Sequence, residues 1–280
     1  MIIAKTIAEL QEAKKSLRQA QGTRGSIGFV PTMGALHQGH LSLLQQARKE
    51  NAHLIVSIFV NPTQFLEGED LDAYPRRDEA DKKICERSGV DILFMPDIDS
   101  MYEKDELCIG APALRGYVLE GEKRPGHFDG MLQVVMKLLN LSSASKAYFG
   151  KKDAQQLALV SQMVKNYFMD VEIIPCDIVR DENGLALSSR NVYLDAQQKQ
   201  RALALSRSLK QATKMVMSGE LNVETIKKEM RHVLDEVDEV EYVAIVDRAF
   251  NDLKEVEIGN SIILVAAWVG KPRLIDNLWI

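Results

Sequence analysis

At 280 residues, with 46% apolar and 27% charged residues, the chain has the composition of an ordinary globular protein, large enough for one big α/β domain or two of common size. Disorder, collagen-like repeats and coiled coil are poor readings, and a net charge of −5 argues against a general nucleic-acid or anionic-membrane binder, so phosphate recognition has to be local. Cys85, Cys108 and Cys176 are too widely spaced for a C-x-x-C site and odd in number, and Met1 to Ala20 lacks an uninterrupted apolar stretch, so a reduced, soluble, cytoplasmic protein without nucleic-acid or membrane partners is expected.

From Ser26 onward, short β-rich runs alternate with longer helical stretches, which predicts an α/β fold: a Rossmann-like doubly wound parallel sheet. Candidate strands are Ser26 to Val30, His53 to Val60, Asp91 to Met95, Lys146 to Phe149 and Val171 to Ile174. The crossover helices are Leu41 to Asn51, Asp78 to Ser88, Gly130 to Leu141 and Asp153 to Phe168, with Leu132, Val135, Leu138 and Leu139 on one face. After Cys176 the pattern changes. Asp177 to Arg180 and Leu185 to Ser188 flank Asn183-Gly184, a hairpin signal. Helices over Asp195 to Met217 and Val223 to Val237 follow, and strands over Tyr242 to Asp247 and Ser261 to Trp268 end the chain. The expected division is a nucleotide- and substrate-binding domain over 1–176 and a smaller α+β domain over 177–280 that closes over the nucleotide.

The most informative segment follows the first candidate strand, from Pro31 through Met33, Gly34, Ala35, Leu36, His37, Gln38, Gly39 and His40 into a helix. A strand that enters a glycine-containing turn at a helix amino terminus makes an anion site, because free backbone N–H groups and the helix dipole both favour phosphate. His37 and His40, three apart around Gly39, can face the same phosphates and stabilise charge that develops there. One histidine capping the helix while the other packs on the sheet is the plainer alternative. Zinc is another, but a third ligand is not nearby.

The segment Pro31 to His40 resembles the H-x-G-H signature of the nucleotidyltransferase superfamily, and in its full form the pantothenate synthetase family. The resemblance extends to Phe59 through Phe65, Asp72 through Arg76, Arg124 through Phe128, Phe149 through Asp153 with Gln155 and Gln156, and Leu187 through Asn191. It implies ATP-dependent joining of pantoate to β-alanine through a pantoyl adenylate, with Mg²⁺ accompanying ATP, in a homodimer.

Residue roles follow from the same resemblance beside their own chemistry. Gln64 and Gln156 would contact pantoate, each offering an acceptor and two donors without charge, and Asn61 and His127 would line the substrate site. Gly150, Lys151, Lys152 and Asp153 would meet ATP, with Lys152 on phosphate and Asp153 able to cap a helix or accept from ribose. Leu187, Ser188, Ser189 and Arg190 would hold ATP, with two hydroxyls and a guanidinium fork suited to phosphate, and Val179 would lie beside adenine. Asp81 would hold Mg²⁺ through water. The catalytic set is then His40, His37, Lys152, Ser188, Ser189 and Arg190. Two rival readings remain open: another H-x-G-H nucleotidylyltransferase, acting on a phosphorylated substrate, and a nucleotide sensor without turnover.

Overall fold

The computed structural model describes residues 1–20 and 25–280. Strands β1 (Ile2–Ala4), β2 (Ile27–Thr32), β3 (His53–Ile58), β4 (Ile92–Phe94), β5 (Lys146–Gly150) and β6 (Glu172–Cys176) form a parallel sheet in the spatial order β1-β4-β3-β2-β5-β6. Every residue of β3 is buried, as expected of an inner strand covered on both faces. Helices α1 (Ile7–Ala20), α2 (Gln38–Glu50), α3 (Asp78–Arg87), the single turns α4 (Ile98–Met101) and α5 (Glu120–Lys123), α6 (His127–Ser142) and α7 (Ala154–Asn166) connect and flank the strands. Val30, Leu54 and Val56 share a core with Leu44 and Ala47 of α2 and Cys85 of α3, and α6 packs on β2 and on α1.

The topology locates the site. From β2 the chain steps outward through β3 to β4, then returns to β5 on the other side of β2. Strand order therefore reverses between β2 and β5, and ligands of open parallel sheets gather outside the carboxyl ends of strands at such a reversal. The loop of Pro31 to His40 leaves β2 there, and Gly150 ends β5 beside it.

Helix α8 (Ala196–Met217), helix α9 (Val223–Val233) and an antiparallel sheet of β7 (Glu239–Asp247), β8 (Ser261–Trp268) and β9 (Arg273–Trp279) follow. Asp195 starts α8: its carboxylate accepts from Gln198 N at 2.8 Å, and the Gln198 side chain accepts from Asp195 N at 3.0 Å. Leu205 and Leu209 of α8, Ile226 and Met230 of α9, and Ile263 and Val265 of β8 lie in one core. The contacts divide the chain into two compact units, Met1–Lys151 with Leu159–Asp177, and Lys152–Ala158 with Ile178–Ile280. Lys152 and Asp153 thus group with the carboxyl-terminal residues, which a sequence boundary near 176 does not anticipate.

Several elements differ from the sequence reading. The sequence pattern does not anticipate β1, α1 or β9, so Ser261–Trp268 is the middle strand of its sheet rather than the end of the chain. The hairpin around Asn183-Gly184 is present but short: one antiparallel bridge pairs Arg180 with Ala186, flanked by bonds from Asp181 N to Leu185 O and from Leu187 N to Val179 O. Asp181 Oδ1 accepts from both Asn183 N and Leu185 N, and Gly184 takes φ +101°, so the side chain organises the turn that a longer strand pair would otherwise hold. Helix α9 ends at Val233 and tightens into a 3₁₀ turn over Leu234–Glu236. Among the described residues no helix is long and apolar enough to cross a membrane.

Candidate active site

The loop after β2 is shaped by one buried carboxylate. Gly34 takes φ +87° and Ala35 φ +48°, which turns two successive N–H groups toward α3. Ala35 N donates to Asp81 Oδ2 and Leu36 N to Asp81 Oδ1, both at 2.8 Å, and Asp81 is 1% exposed. Burial, the largest influence, pushes the Asp81 carboxyl above its ordinary range against the pull of these two N–H groups. Both oxygens of Asp81, the residue expected to meet Mg²⁺ through water, brace the loop after β2. Among the described residues no three His, Cys, Asp or Glu side chains gather as a metal cage.

The loop ends at α2 in a reciprocal cap. His37 Nδ1 accepts from Gly39 N at 3.1 Å, and His40 Nδ1 accepts from His37 N at 3.3 Å, with ring centroids 4.2 Å apart. An accepting Nδ1 is unprotonated, so each neutral ring carries its proton on Nε2. The capping and phosphate readings of these histidines are therefore compatible: one nitrogen caps the helix and the other offers a donor at its positive end. Gln38 is exposed at the first position of α2, and half-buried Gly39 follows it in the chain.

Gln64 is held in the 3₁₀ turn Pro62–Gln64 that follows β3. Asn61 Nδ2 donates to Gln64 Oε1 at 3.1 Å and to Gly130 O at 3.1 Å, while Asn61 Oδ1 accepts from Tyr102 at 2.7 Å and Thr63 at 3.1 Å. All four hydrogen-bonding positions of Asn61, which is 1% exposed, are thus taken by protein. Gln64 Nε2 points to Met33 Sδ at 3.2 Å, which sets the amide beside the β2 loop. His127 begins α6, 8% exposed, and both of its ring nitrogens face protein groups: Nδ1 lies 2.7 Å from Gln64 O and Nε2 3.1 Å from Arg124. Burial first, and the Arg124 charge second, push His127 down to about 4. Asn61 and His127, expected to line the substrate site, both hydrogen-bond Gln64, the first at its side chain and the second at its backbone carbonyl.

Gly150 closes β5, and Lys151 N donates to Cys176 O at 2.8 Å while its ammonium meets Asp177 at 2.6 Å. Lys152 is half-buried, with its ammonium 3.7 Å from the exposed Asp153 carboxylate. Asn277 Nδ2 donates to Lys152 O at 2.7 Å. Gln156 is half-buried in the first turn of α7. Ser188 caps the turn Ser189–Tyr193 by accepting from Arg190 N at 3.3 Å, and Leu187, Ser189 and Arg190 are half-buried beside it, as is Val179. The sequence pattern does not single out Glu69 or Asn277, because neither belongs to a local motif.

The family profile described as Pantoate-beta-alanine ligase matches residues 2–279. The chain belongs to the pantoate–β-alanine ligase family. Among curated relatives it is 58% identical over 280 residues to a pantothenate synthetase of Aliarcobacter butzleri, covering both chains entirely. A pantothenate synthetase of Sulfurimonas denitrificans is 55% identical over 276 residues, 99% of this chain and 100% of that one. Of solved structures, a pantothenate synthetase of Thermus thermophilus superposes with a TM-score of 0.91 at 39% identity over 99% of each chain. A pantoate–β-alanine ligase of Francisella tularensis, complexed with Beta-gamma ATP and β-alanine, gives 0.82 at 37% identity over 100% of this chain and 97% of that one. Within this ligase family the parallel sheet and the carboxyl-terminal antiparallel sheet are the shared architecture.

Proposed function

We propose that the chain joins pantoate to β-alanine in two steps, consuming Mg·ATP and passing through a pantoyl adenylate. As a pantoate–β-alanine ligase it forms a C–N amide bond. In the first step a pantoate carboxylate oxygen attacks the α-phosphorus of ATP, and the bond to the β-phosphate breaks to release pyrophosphate. In the second, the β-alanine amine attacks the activated acyl carbon, AMP leaves, and the new amide nitrogen gives up its proton. Adenylation turns a carboxylate oxygen into a good leaving group.

The observation that carries this reading is the braced β2 loop, which ends in two histidines with Nε2–H donors at the start of α2 where the strand order reverses. Preorganised donors of this kind stabilise charge on the phosphate as it develops. Met33, Gly34, Ala35, Leu36, Gln38 and Gly39 supply the backbone around ATP, with Gly150, Lys151, Lys152 and Asp153. Lys152, Ser188, Ser189 and Arg190 meet phosphate, Leu187 and Val179 the rest of the nucleotide, and Gln64 and Gln156 hold pantoate. Magnesium arrives with the triphosphate, since this ion keeps waters and takes phosphate oxygens readily. Neutral Gln64 and Gln156 favour an unphosphorylated hydroxy acid over the phosphorylated partner of a related nucleotidylyltransferase. The working form is a cytoplasmic homodimer.

Pantoate alone is expected to support ATP–pyrophosphate exchange, while continued AMP formation needs β-alanine. An absolute requirement for both substrates before any exchange sinks the separate adenylate. Light scattering at working concentration tests the dimer, and a mass of 31.4 kDa removes it.

A further inference from the structure

We propose that Glu69, Arg124 and His127 form a positioning relay whose task is to fix Gln64. The inference rests on the reading of Gln64 as a pantoate contact and adds what holds it in place. The 3₁₀ turn that carries Gln64 is only Pro62–Gln64 long, so it cannot satisfy the terminal carbonyl from within. That carbonyl instead accepts from His127 Nδ1 at 2.7 Å and from an Arg124 amino group at 3.3 Å.

The proton positions follow from donor chemistry alone. A carbonyl only accepts, so Nδ1 of His127 carries the hydrogen; a guanidinium only donates, so Nε2, 3.1 Å from Arg124, is the acceptor. His127 is therefore neutral and locked in one tautomer from both sides. Arg124 is in turn oriented by Glu69, which takes its Nε and an amino group at 2.6 Å each in a bidentate fork. The three side chains thus form a directed series, Glu69 to Arg124 to His127 to the Gln64 carbonyl, in which each bond polarises the next.

The opposite end of Gln64 is fixed separately by Asn61 and Met33. The turn also lies directly on α6: a Cβ added to Gly130 would fall on the Thr63 carbonyl and the Gln64 N–H. Helix α6 therefore supports the turn from below, and the relay sets the orientation of its final carbonyl. None of the three relay residues has to touch substrate, which accounts for a buried histidine near the site with both ring nitrogens engaged by the protein.

The test compares KM for pantoate, ATP and β-alanine in wild type, His127→Phe, His127→Asn, Gln64→Ala and the Gln64→Ala, His127→Phe pair. Phe removes the donor; Asn places an N–H close to the Nδ1 position. His127→Phe is expected to raise KM for pantoate about tenfold, as loss of one buried hydrogen bond would, with the other two constants little changed. His127→Asn should recover most of the loss, and the paired variant should be no worse than Gln64→Ala. Additive effects, or an equal rise in all three constants, overturn the relay while leaving the pantoate assignment standing. Gln64→Ala with an unaltered pantoate KM overturns the assignment itself and the relay with it. Should His127→Phe fail to fold, Arg124→Gln keeps the buried ring in place: a selective rise in pantoate KM supports the relay, and an unchanged one refutes it.

Discussion

The side-chain amide of Asn277 donates to the backbone carbonyl of Lys152 at 2.7 Å, with Asn277 only 2% exposed. The adjacent Asp276 takes Arg180 in a fork at 2.5 and 2.8 Å, and Arg180 also donates to Gly184 O. Two consecutive residues of β9 thereby fix the segment that begins with Lys152 and the turn that leads to Leu187. Asn277→Ala leaves a carbonyl without its donor, which costs about 1–3 kcal/mol where the group is buried. The variant should melt lower and show a raised KM for ATP with a nearly unchanged KM for pantoate. Equal changes in both constants would detach Asn277 from the nucleotide side.

His40 has two separable jobs. Losing a preorganised donor typically lowers turnover about 10²–10³-fold, and losing a cap typically costs about 0.5–2 kcal/mol. His40→Ala should therefore reduce pyrophosphate exchange sharply and also lower the unfolding free energy, because His40 Nδ1 accepts from His37 N. His40→Asn supplies a capping oxygen without the Nε2 donor, so stability should return while exchange stays low. Supplying synthetic pantoyl adenylate with β-alanine bypasses the first step; a variant that fails only there assigns His40 to amine attack instead.

Asp81→Asn keeps shape but leaves only one oxygen for two N–H groups. Ala35 or Leu36 then faces an amide NH₂ at a buried position, and the β2 loop loses its brace. Weaker ATP binding and a lower melting temperature are expected together, the first read by calorimetry in the absence of pantoate. A variant that binds ATP like wild type would show that the loop does not need the brace.

The parts of this site that can be read from sequence are those whose spacing is local. His37 and His40 come together because they stand at the N-cap and the third position of α2, three residues apart, and the turn at Gly34 follows a recognisable apolar strand. The supports of Gln64 are only partly legible: Arg124 and His127 lie in one short segment, but no local spacing shows that they and Glu69 converge on the Gln64 carbonyl, or that Asn61 makes four bonds to protein groups. β9 escapes the pattern because Asp276-Asn277 interrupts its apolar alternation, and those two residues are buried as anchors rather than exposed as a loop. β1 is three residues long with Ile2 and Ile3 both exposed, which leaves too little pattern to recognise. The interruption that hides β9 marks residues with a structural task.

Acid should destabilise the protein through His127 before it reaches the carboxylates. Its ordinary value is 6.5 and the folded state holds it at about 4, through burial first and the Arg124 charge second, against the opposing pull of the Gln64 carbonyl, Glu69 and Glu120. Between those values the unfolded chain binds a proton that the folded chain does not, so stability rises with pH across the window and is lost as pH falls through it. For one such proton the slope approaches about 1.4 kcal/mol per pH unit. Glu69 adds to the loss further down: burial pushes it up, but the hydrogen bonds and charge of Arg124 and the Leu66 N–H outweigh this and hold it below its ordinary value. Asp81, raised by burial, acts in the opposite direction where it titrates. His127→Asn removes the ionisable ring and retains a donor, so its unfolding free energy should be flatter than wild type from about pH 6.5 to about 4, a window set by the His127 shift, measured by denaturant titration at several pH values. Parallel curves for the two proteins would mean that His127 does not change protonation on unfolding, and the neutral, doubly engaged ring would have to be abandoned.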